Sequence, residues 1–210
     1  KETLVAMLAA EQRDRAKTSL AAALKDARVI VCALVQFGFT LGSYGVGIWL
    51  PQIIKVGRLS NLQIGFVTSG VYAVASASMI LWANHVDRGG NKVINLALSC
   101  ALGGIGLLGA ILTHDFWISL AWLTLSLAGI NAARGIFFTI PMRFLTGMAL
   151  AGGIAFINSI GTAGGFVGPS VVGWLTDKTG SFAAGLGFMA AFLVASAALA
   201  WSLTLFVGAD

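Results

Sequence analysis

The sequence predicts an all-α membrane protein whose six transmembrane helices form a 3+3 inverted repeat. Three observations lead to this fold class. Of the 210 residues, 58% are hydrophobic and 10% are charged, whereas a soluble domain carries about 25% charged residues. The hydrophobic residues fall into six runs that are long enough to cross a bilayer. The Pro and Asp residues that follow these runs recur at a constant offset, which indicates an internal repeat.

The apolar spans cover roughly residues 28–50, 61–83, 93–112, 117–140, 150–175 and 182–207. At 1.5 Å per residue, each can cross about 30 Å of hydrocarbon. Because lipid offers no partner to a free backbone N–H or C=O group, each span is expected to be a helix. Residues 1–27 precede them, and we interpret this segment as a cytoplasmic loop with short amphipathic helices or, equally, as a solvated linker.

Basic residues predict the orientation of the helices. Nine Lys and Arg residues lie in the N-terminal segment and in the 84–92 and 141–149 loops, and three lie in the loops on the opposite side. Cytoplasmic loops carry the excess of Lys and Arg. Both termini are therefore expected on the cytoplasmic side.

Two other classes of membrane protein fit the sequence poorly. An intramembrane serine protease needs a G-x-S-G motif and a His on another span, but the motif does not occur, and His85 and His114 fall at span ends. A pore usually shows rings of charge or a filter loop, and neither is evident. Cys32 and Cys100 lie in apolar segments and are expected to be packing residues. We expect neither an enzyme nor a metal site.

The internal repeat has an offset of 90 residues. Pro51 closes the first span and Pro141 the fourth, while Asp87 follows the second span and Asp177 the fifth. Two units of three helices, an odd number, must insert with opposite topology. Secondary transporters use such inverted repeats and bind their substrates at the repeat interface.

Arg134 is the one basic residue inside a span. A charged side chain at a helix centre costs about 2.5–3.5 kcal/mol on insertion scales, and no Asp or Glu lies within a predicted span to neutralise it. A guanidinium in a wet cavity is a receptor for a carboxylate, which it binds in a bidentate fork. The alternatives are pairing with backbone carbonyls or with an acid on another chain.

Polar residues in the spans lie on coherent helix faces. They are Gln36, Thr40 and Tyr44 on the first span, and Asn158 and Thr162 on the fifth, with Phe138 one turn after Arg134. At the offset of 90, Tyr44 corresponds to Arg134, as expected for a site between the repeats. The alternative is hydrogen bonding between helices, worth about 0.6 kcal/mol per contact. The small residues around Gly168 and Pro169 favour close packing, with a hinge as the second interpretation.

Two sets of motifs resemble a known family. Residues 83–92, A-N-H-V-D-R-G-G-N-K, resemble the loop motif G-x-x-x-D-R-x-G-R-R of the major facilitator superfamily, with departures at Ala83 and Asn91. The resemblance implies that Asp87 and Arg88 brace helix ends and help to set the outward-facing state, and the alternative is a solvated turn. Residues 49–55, 133–141 and 152–169 resemble the tartrate-transporter branch of the anion:cation symporter family.

The resemblance extends over residues 20–207. It implies that residues 28–210 form the C-terminal six-helix half of a twelve-helix major facilitator fold in a bacterial inner membrane. It further implies proton-coupled uptake of small organic anions, such as tartrate-like dicarboxylates or sugar acids, by alternating access. No cofactor is expected, and the proton site is expected in the other half. The alternative is a six-helix unit that acts as a homodimeric transporter or as a structural or channel-forming protein.

The expected partners are a small organic anion, an N-terminal six-helix half or a second copy, and the lipid bilayer, but no nucleic acid. Arg134 is expected to bind a substrate carboxylate. The expected hydrogen-bonding residues are Gln36, Tyr44, Asn158 and Thr162, with Phe138 as an apolar wall. The expected gating or structural residues are Asp87, Arg88, Lys92, Gly168 and Pro169. Phe138 stands where the family commonly has Trp, which leaves the substrate open.

Overall fold

The computed structural model describes residues 24–207, and all regular structure in this part of the chain is helical. The helices are α1 (Ala27–Lys55), α2 (Asn61–Asp87), α3 (Lys92–Leu112), α4 (Phe116–Phe137), α5 (Gly147–Thr179), α6 (Ala183–Ser202) and α7 (Thr204–Val207), with a 3-10 helix at Pro141–Arg143. Six of them are long and apolar enough to span a membrane. The predicted six-helix all-α fold is therefore confirmed.

Side-chain caps set where the first four helices begin. The side chains of Asp26, Ser60, Asn91 and Asp115 each accept a hydrogen bond from a backbone N–H group in the first turn of the following helix. Such a cap satisfies a donor that has no partner inside the helix, and it is typically worth about 1 kcal/mol. These short polar residues therefore end the connections and start the spans.

One predicted boundary is wrong. The sequence predicts that Pro51 closes the first span, but this proline lies inside α1, which continues to Lys55. A proline inside a helix removes one backbone donor and crowds the carbonyl of the residue four positions earlier, which weakens the helix at this point. Leu50 and Ile54 are fully buried, so packing against the bundle holds the last turn in place. Pro141 does lie beyond α4, where it opens the 3-10 helix.

The helices are arranged as the predicted inverted repeat. Helices α1 and α4 begin at residues 27 and 116, and α3 and α6 end at residues 112 and 202, which are separations of 89 and 90 residues. The helix contacts follow the same repeat, in which α1, α2 and α3 correspond to α4, α5 and α6. Helix α1 packs on α5, and its counterpart α4 packs on α2. Helix α3 packs on α4, and its counterpart α6 packs on α1. The six helices thus form two triplets related by an offset near 90.

Burial is unequal among the helices. In the most apolar 18-residue stretch of each helix, the buried share of the residues is 67% for α1, 11% for α2 and 22% for α5. Helices α2 and α5 therefore present large apolar surfaces outward.

Cys32 and Cys100 are free and buried in the core, as their predicted packing role requires. Of the predicted N-terminal segment, residues 1–23 lie outside the described residues.

Candidate functional site

All six predicted substrate-binding residues line a single cavity of about 210 Å³, which we call the central cavity. Helices α1, α4 and α5 contribute its walls, with Phe138 at the end of α4. The full lining is Gln36, Phe39, Thr40, Tyr44, Arg134, Phe138, Asn158 and Thr162. The structure thus brings together residues that are up to 126 positions apart in the sequence.

Glycines on α5 bring the cavity walls close together. A Cβ atom at Gly161 would collide with the side chain of Gln36, and one at Gly164 would collide with the carbonyl oxygen of Phe37. Because both positions lack a side chain, α5 lies directly on α1. Asn158 of α5 and Gln36 of α1 are therefore close enough for direct contact.

A hydrogen bond joins these two walls. Nε2 of Gln36 donates to Oδ1 of Asn158 over 2.9 Å. The other amide atom, Oε1 of Gln36, is buried and has no hydrogen-bond partner among the described residues. A buried acceptor without a partner costs about 1–3 kcal/mol. A donor group of a bound molecule would remove that cost.

Arg134 is held by a residue that the sequence analysis missed. Nη2 of Arg134 donates to Oγ of Ser43 on α1 over 2.7 Å. The guanidinium is solvent-exposed, and within residues 24–207 it forms no ion pair. Ser43 directly precedes Tyr44, which is the repeat counterpart of Arg134. This position in the sequence could have indicated that Ser43 lies near Arg134. The serine orients the cation, and no other residue of the described part of the chain accepts a hydrogen bond from it.

Aromatic rings close another side of the central cavity. Phe39 packs edge-on against Phe137 with ring centroids 5.3 Å apart, and Phe137 packs against Phe138 at 5.2 Å. Phe39 is buried, and its position three residues after Gln36 on the same helix was a signal that the sequence analysis did not use. The cavity therefore combines one cation, several neutral polar groups and an apolar wall.

Tyr44 and Thr162 are exposed to the cavity opening. About half of the Tyr44 side chain is accessible, and its ring lies against Gly165, where a Cβ atom would be 3.2 Å from Cδ2 of the tyrosine. Thr162 is also exposed. Both side chains can therefore meet a molecule that enters the cavity.

The predicted gating residues lie away from the central cavity. Asp87 lines a separate cavity of about 380 Å³ between α2 and α4, together with Asn84 and Gly135. Arg88 follows the last residue of α2, and Lys92 is the first residue of α3. These positions fit helix ends that face a short loop, and a gating role stays a prediction.

Gly168 and Pro169 are part of a continuous helix. A Cβ atom at Gly168 would collide with the carbonyl oxygen of Leu41, so this glycine allows close packing of α5 on α1. The carbonyl oxygen of Pro169 accepts a hydrogen bond of 3.1 Å from Nε1 of Trp49. The contacts support packing at this point, and a hinge here stays a prediction.

The described residues contain no group of three His, Cys, Asp or Glu side chains that could hold a metal ion. The residues that line the central cavity offer charge and hydrogen bonds for recognition. One guanidinium, two amides, several hydroxyls and phenylalanine rings can bind a small anion that also carries hydrogen-bonding groups.

Comparison with known proteins identifies relatives of one kind. The chain is 47% identical over 198 residues to a protein of Agrobacterium vitis named "Putative tartrate transporter". It is 39% identical over 168 residues to the "Quinolone resistance transporter" of Acinetobacter baumannii. It is 29% identical over 208 residues to the "Inner membrane transport protein RhmT" of Escherichia coli strain K12. No family model matches the chain.

The length of these matches is informative. They cover 92%, 80% and 97% of this chain, but 45%, 39% and 48% of the respective relatives. The chain thus spans about half the length of the curated relatives that it matches. Its six membrane-spanning helices fit half of a major facilitator fold. The chain is homologous to transporters of the major facilitator type.

Proposed function

We propose that the central cavity binds a small organic anion and that this chain forms one half of the pathway of a secondary transporter. The observation that carries the proposal is the position of Arg134, an exposed guanidinium in a membrane-spanning helix for which Ser43 is the only hydrogen-bond partner among the described residues. Within residues 24–207 no carboxylate pairs with it. A substrate carboxylate would supply the missing negative charge in a bidentate contact.

The other residues of the cavity have complementary roles in this proposal. The Gln36 and Asn158 amides and the Tyr44 and Thr162 hydroxyls bind hydroxyl groups or carboxylate oxygens of the substrate. Phe138 forms an apolar wall behind its carbon skeleton. Tartrate-like dicarboxylates and sugar acids have the required charge and hydroxyl groups. The name of the relative from A. vitis supports this substrate class.

The proposal places proton coupling outside this chain. The described carboxylates, Asp26, Asp87, Asp115 and Asp177, all lie at helix ends or in connections. None can serve as a buried proton carrier next to Arg134. We propose that the coupling carboxylate belongs to an N-terminal six-helix half, and that the whole protein lies in a bacterial inner membrane with both termini of this chain in the cytoplasm.

Exposed faces of α2 and α5 support a second six-helix unit. These helices bury only a small fraction of their apolar windows, although α5 carries two central-cavity residues. An N-terminal half of the same polypeptide would cover part of each face, and a second copy of this chain is the alternative occupant. The mass of the purified particle in detergent distinguishes a twelve-helix monomer from a dimer of six-helix chains.

Substitution of Arg134 tests the binding role. In the full natural protein reconstituted in liposomes, Arg134→Gln is expected to reduce the apparent affinity for a labelled dicarboxylate or sugar acid by about 100-fold. This loss corresponds to about 2.7 kcal/mol, or roughly two charge-assisted hydrogen bonds. Lys178→Gln, which removes a positive charge at the far end of α5, is the control and should leave uptake unchanged. Uptake like that of the wild type by Arg134→Gln at limiting substrate would contradict the proposal.

A further inference from the structure

A groove between α2 and α3 is separate from the central cavity and has no role in the proposed transport pathway. It has a volume of about 540 Å³ and is lined by Ser78, Leu81, Trp82 and His85 of α2 and by Asn95 and Leu98 of α3. We call it the α2–α3 groove. Its volume lies in the range of about 300–1,000 Å³ that is typical of small-molecule sites.

The walls of the groove are apolar and accessible. Leu81 is 69% exposed and Leu98 is 50% exposed, and both belong to membrane-spanning helices. The groove therefore opens toward a surface that carries hydrocarbon groups. An acyl chain that lies between these leucines would fill space that the protein itself leaves empty.

The polar side chains of Ser78, Trp82 and Asn95 in the walls are already satisfied by the protein. Nε1 of Trp82 donates to Oδ1 of Asn95 over 3.1 Å, and Nδ2 of Asn95 donates to the carbonyl oxygen of Asn91 over 2.8 Å. Oγ of Ser78 donates to the carbonyl oxygen of Ala75 over 2.8 Å. The walls consequently place few demands on the polar chemistry of an occupant, and an apolar chain can lie against them without leaving these donors unpaired.

One end of the groove is basic. His85 lines it, Arg88 caps the end of α2 three residues later, and Lys92 begins α3 one turn before the lining residue Asn95. The acidic residue of this loop, Asp87, lines the separate cavity between α2 and α4. The lining residues of the groove thus include an imidazole and no carboxylate, and two permanent positive charges, Arg88 and Lys92, stand at the helix ends next to them.

We propose that the α2–α3 groove is a binding site for an anionic phospholipid. The acyl chain lies between Leu81 and Leu98 beside Trp82, and the headgroup phosphate meets His85, Arg88 and Lys92. Basic residues next to the end of a transmembrane helix attract anionic headgroups, and tryptophan is typical of the membrane–water interface. The juxtaposition of an apolar groove and a basic mouth matches the two parts of a phospholipid molecule.

Native mass spectrometry of the full natural protein tests this site. The protein is purified in mild detergent and titrated with phosphatidylglycerol or, separately, with phosphatidylcholine of the same acyl chains. The wild type should retain one phosphatidylglycerol molecule in preference to phosphatidylcholine. Soluble glycerol phosphate, which has the anionic group without the chains, should not displace it. No preference for phosphatidylglycerol over phosphatidylcholine would overturn the proposal.

Two matched variants assign the binding to this groove. Leu98→Trp puts a larger side chain into the groove and should abolish the retained molecule. The control is Leu108→Trp, the same substitution on α3 at a position that is 43% exposed and lines none of the described cavities. It should retain the lipid. Equal retention by both variants, each with a melting temperature like that of the wild type, would overturn the proposal.

Charge removal tests the headgroup contact. Lys92→Gln should weaken phosphatidylglycerol binding by about fivefold, which corresponds to about 1 kcal/mol for one basic residue near the membrane surface. Phosphatidylcholine binding should change less. Lys55→Gln, at the opposite end of the bundle on α1, should leave both unchanged. A Lys92→Gln variant with unaltered lipid preference would contradict a contact between Lys92 and the headgroup.

Discussion

The α1–α5 and α2–α4 pairs are equivalent in the repeat, yet they pack in different ways. On α5, glycines at 161, 164 and 168 bring the helix against the backbone or side-chain stems of α1, so closely that a Cβ atom at any of them would collide. On α2, a Cβ atom added at Gly65 or Gly70 would have no atom of another element within 4 Å. Helix α2 also contacts α4 over a smaller region than α5 contacts α1, so the same topology contains one closely packed pair and one loosely packed pair.

This difference bears on the central cavity. Gln36 and Asn158 lie on the closely packed pair and are joined by a direct hydrogen bond. Arg134 lies on the loosely packed pair and forms a hydrogen bond to Ser43 of α1. The amide side of the cavity is thus fixed by helix packing, whereas the cationic side depends on a single contact between side chains.

The largest predicted effect concerns the glycines. Gly164→Ala should destabilise the protein by about 2–3 kcal/mol, because the added methyl group collides with the backbone of α1. Gly70→Ala on α2 should cost nothing and can gain up to about 1 kcal/mol, because alanine favours the helix. Reversible unfolding of the full natural protein in mixed micelles measures both. Equal destabilisation by the two variants would contradict the close approach of α5 to α1 at Gly164.

A smaller effect is predicted for Trp49, which joins α1 to α5. Trp49→Phe should cost about 1 kcal/mol, because it removes the hydrogen bond from Nε1 to the carbonyl oxygen of Pro169 while it retains an aromatic ring beside Phe182. The control is Trp174→Phe on α5, where the indole is 60% exposed. If the two variants have the same unfolding free energy, the indole bond does not contribute to the α1–α5 pair.

The smallest predicted effect compares the caps of α1 and α2. Arg28 forms a hydrogen-bonded ion pair with Asp26 and lowers the pKa of this carboxyl from its ordinary value of 3.8. A lowered carboxyl pKa stabilises the fold above pH 3.8, and this contribution is lost as the pH falls through the lower folded-state pKa. The group is partly exposed, so the contribution should be below about 1 kcal/mol.

The matching measurement follows unfolding between pH 6 and pH 3. The acid-dependent loss of stability should be reduced in Asp26→Asn, which keeps a capping oxygen but removes the titrating carboxyl. Ser60→Ala at the start of α2 should lower stability by about 1 kcal/mol at every pH, because its capping hydroxyl does not titrate in this range. An Asp26→Asn profile identical to that of the wild type would exclude a role for this ion pair in stability.

Much of the architecture could be predicted because its causes are local in sequence. Apolar run length determines which segments can cross a bilayer, and the repeated separations of Pro51 from Asp87 and of Pro141 from Asp177 indicate the two triplets. The helical spacing of Gln36, Thr40 and Tyr44 predicted a common face. Once α1, α4 and α5 are adjacent, these faces and Arg134 meet in one cavity.

Tertiary structure decided the contacts that depend on how helices rotate and approach one another. The bond between Gln36 and Asn158, the position of Ser43 beside Arg134 and the α2–α3 groove each require the distance and rotation between separate helices. The continuation of α1 through Pro51 likewise depends on burial of Leu50 and Ile54. By itself the sequence determined six helices, their repeat and the candidate residues, because hydropathy and periodicity act along the chain. Only packing in three dimensions determined which of those residues meet and which surfaces stay open.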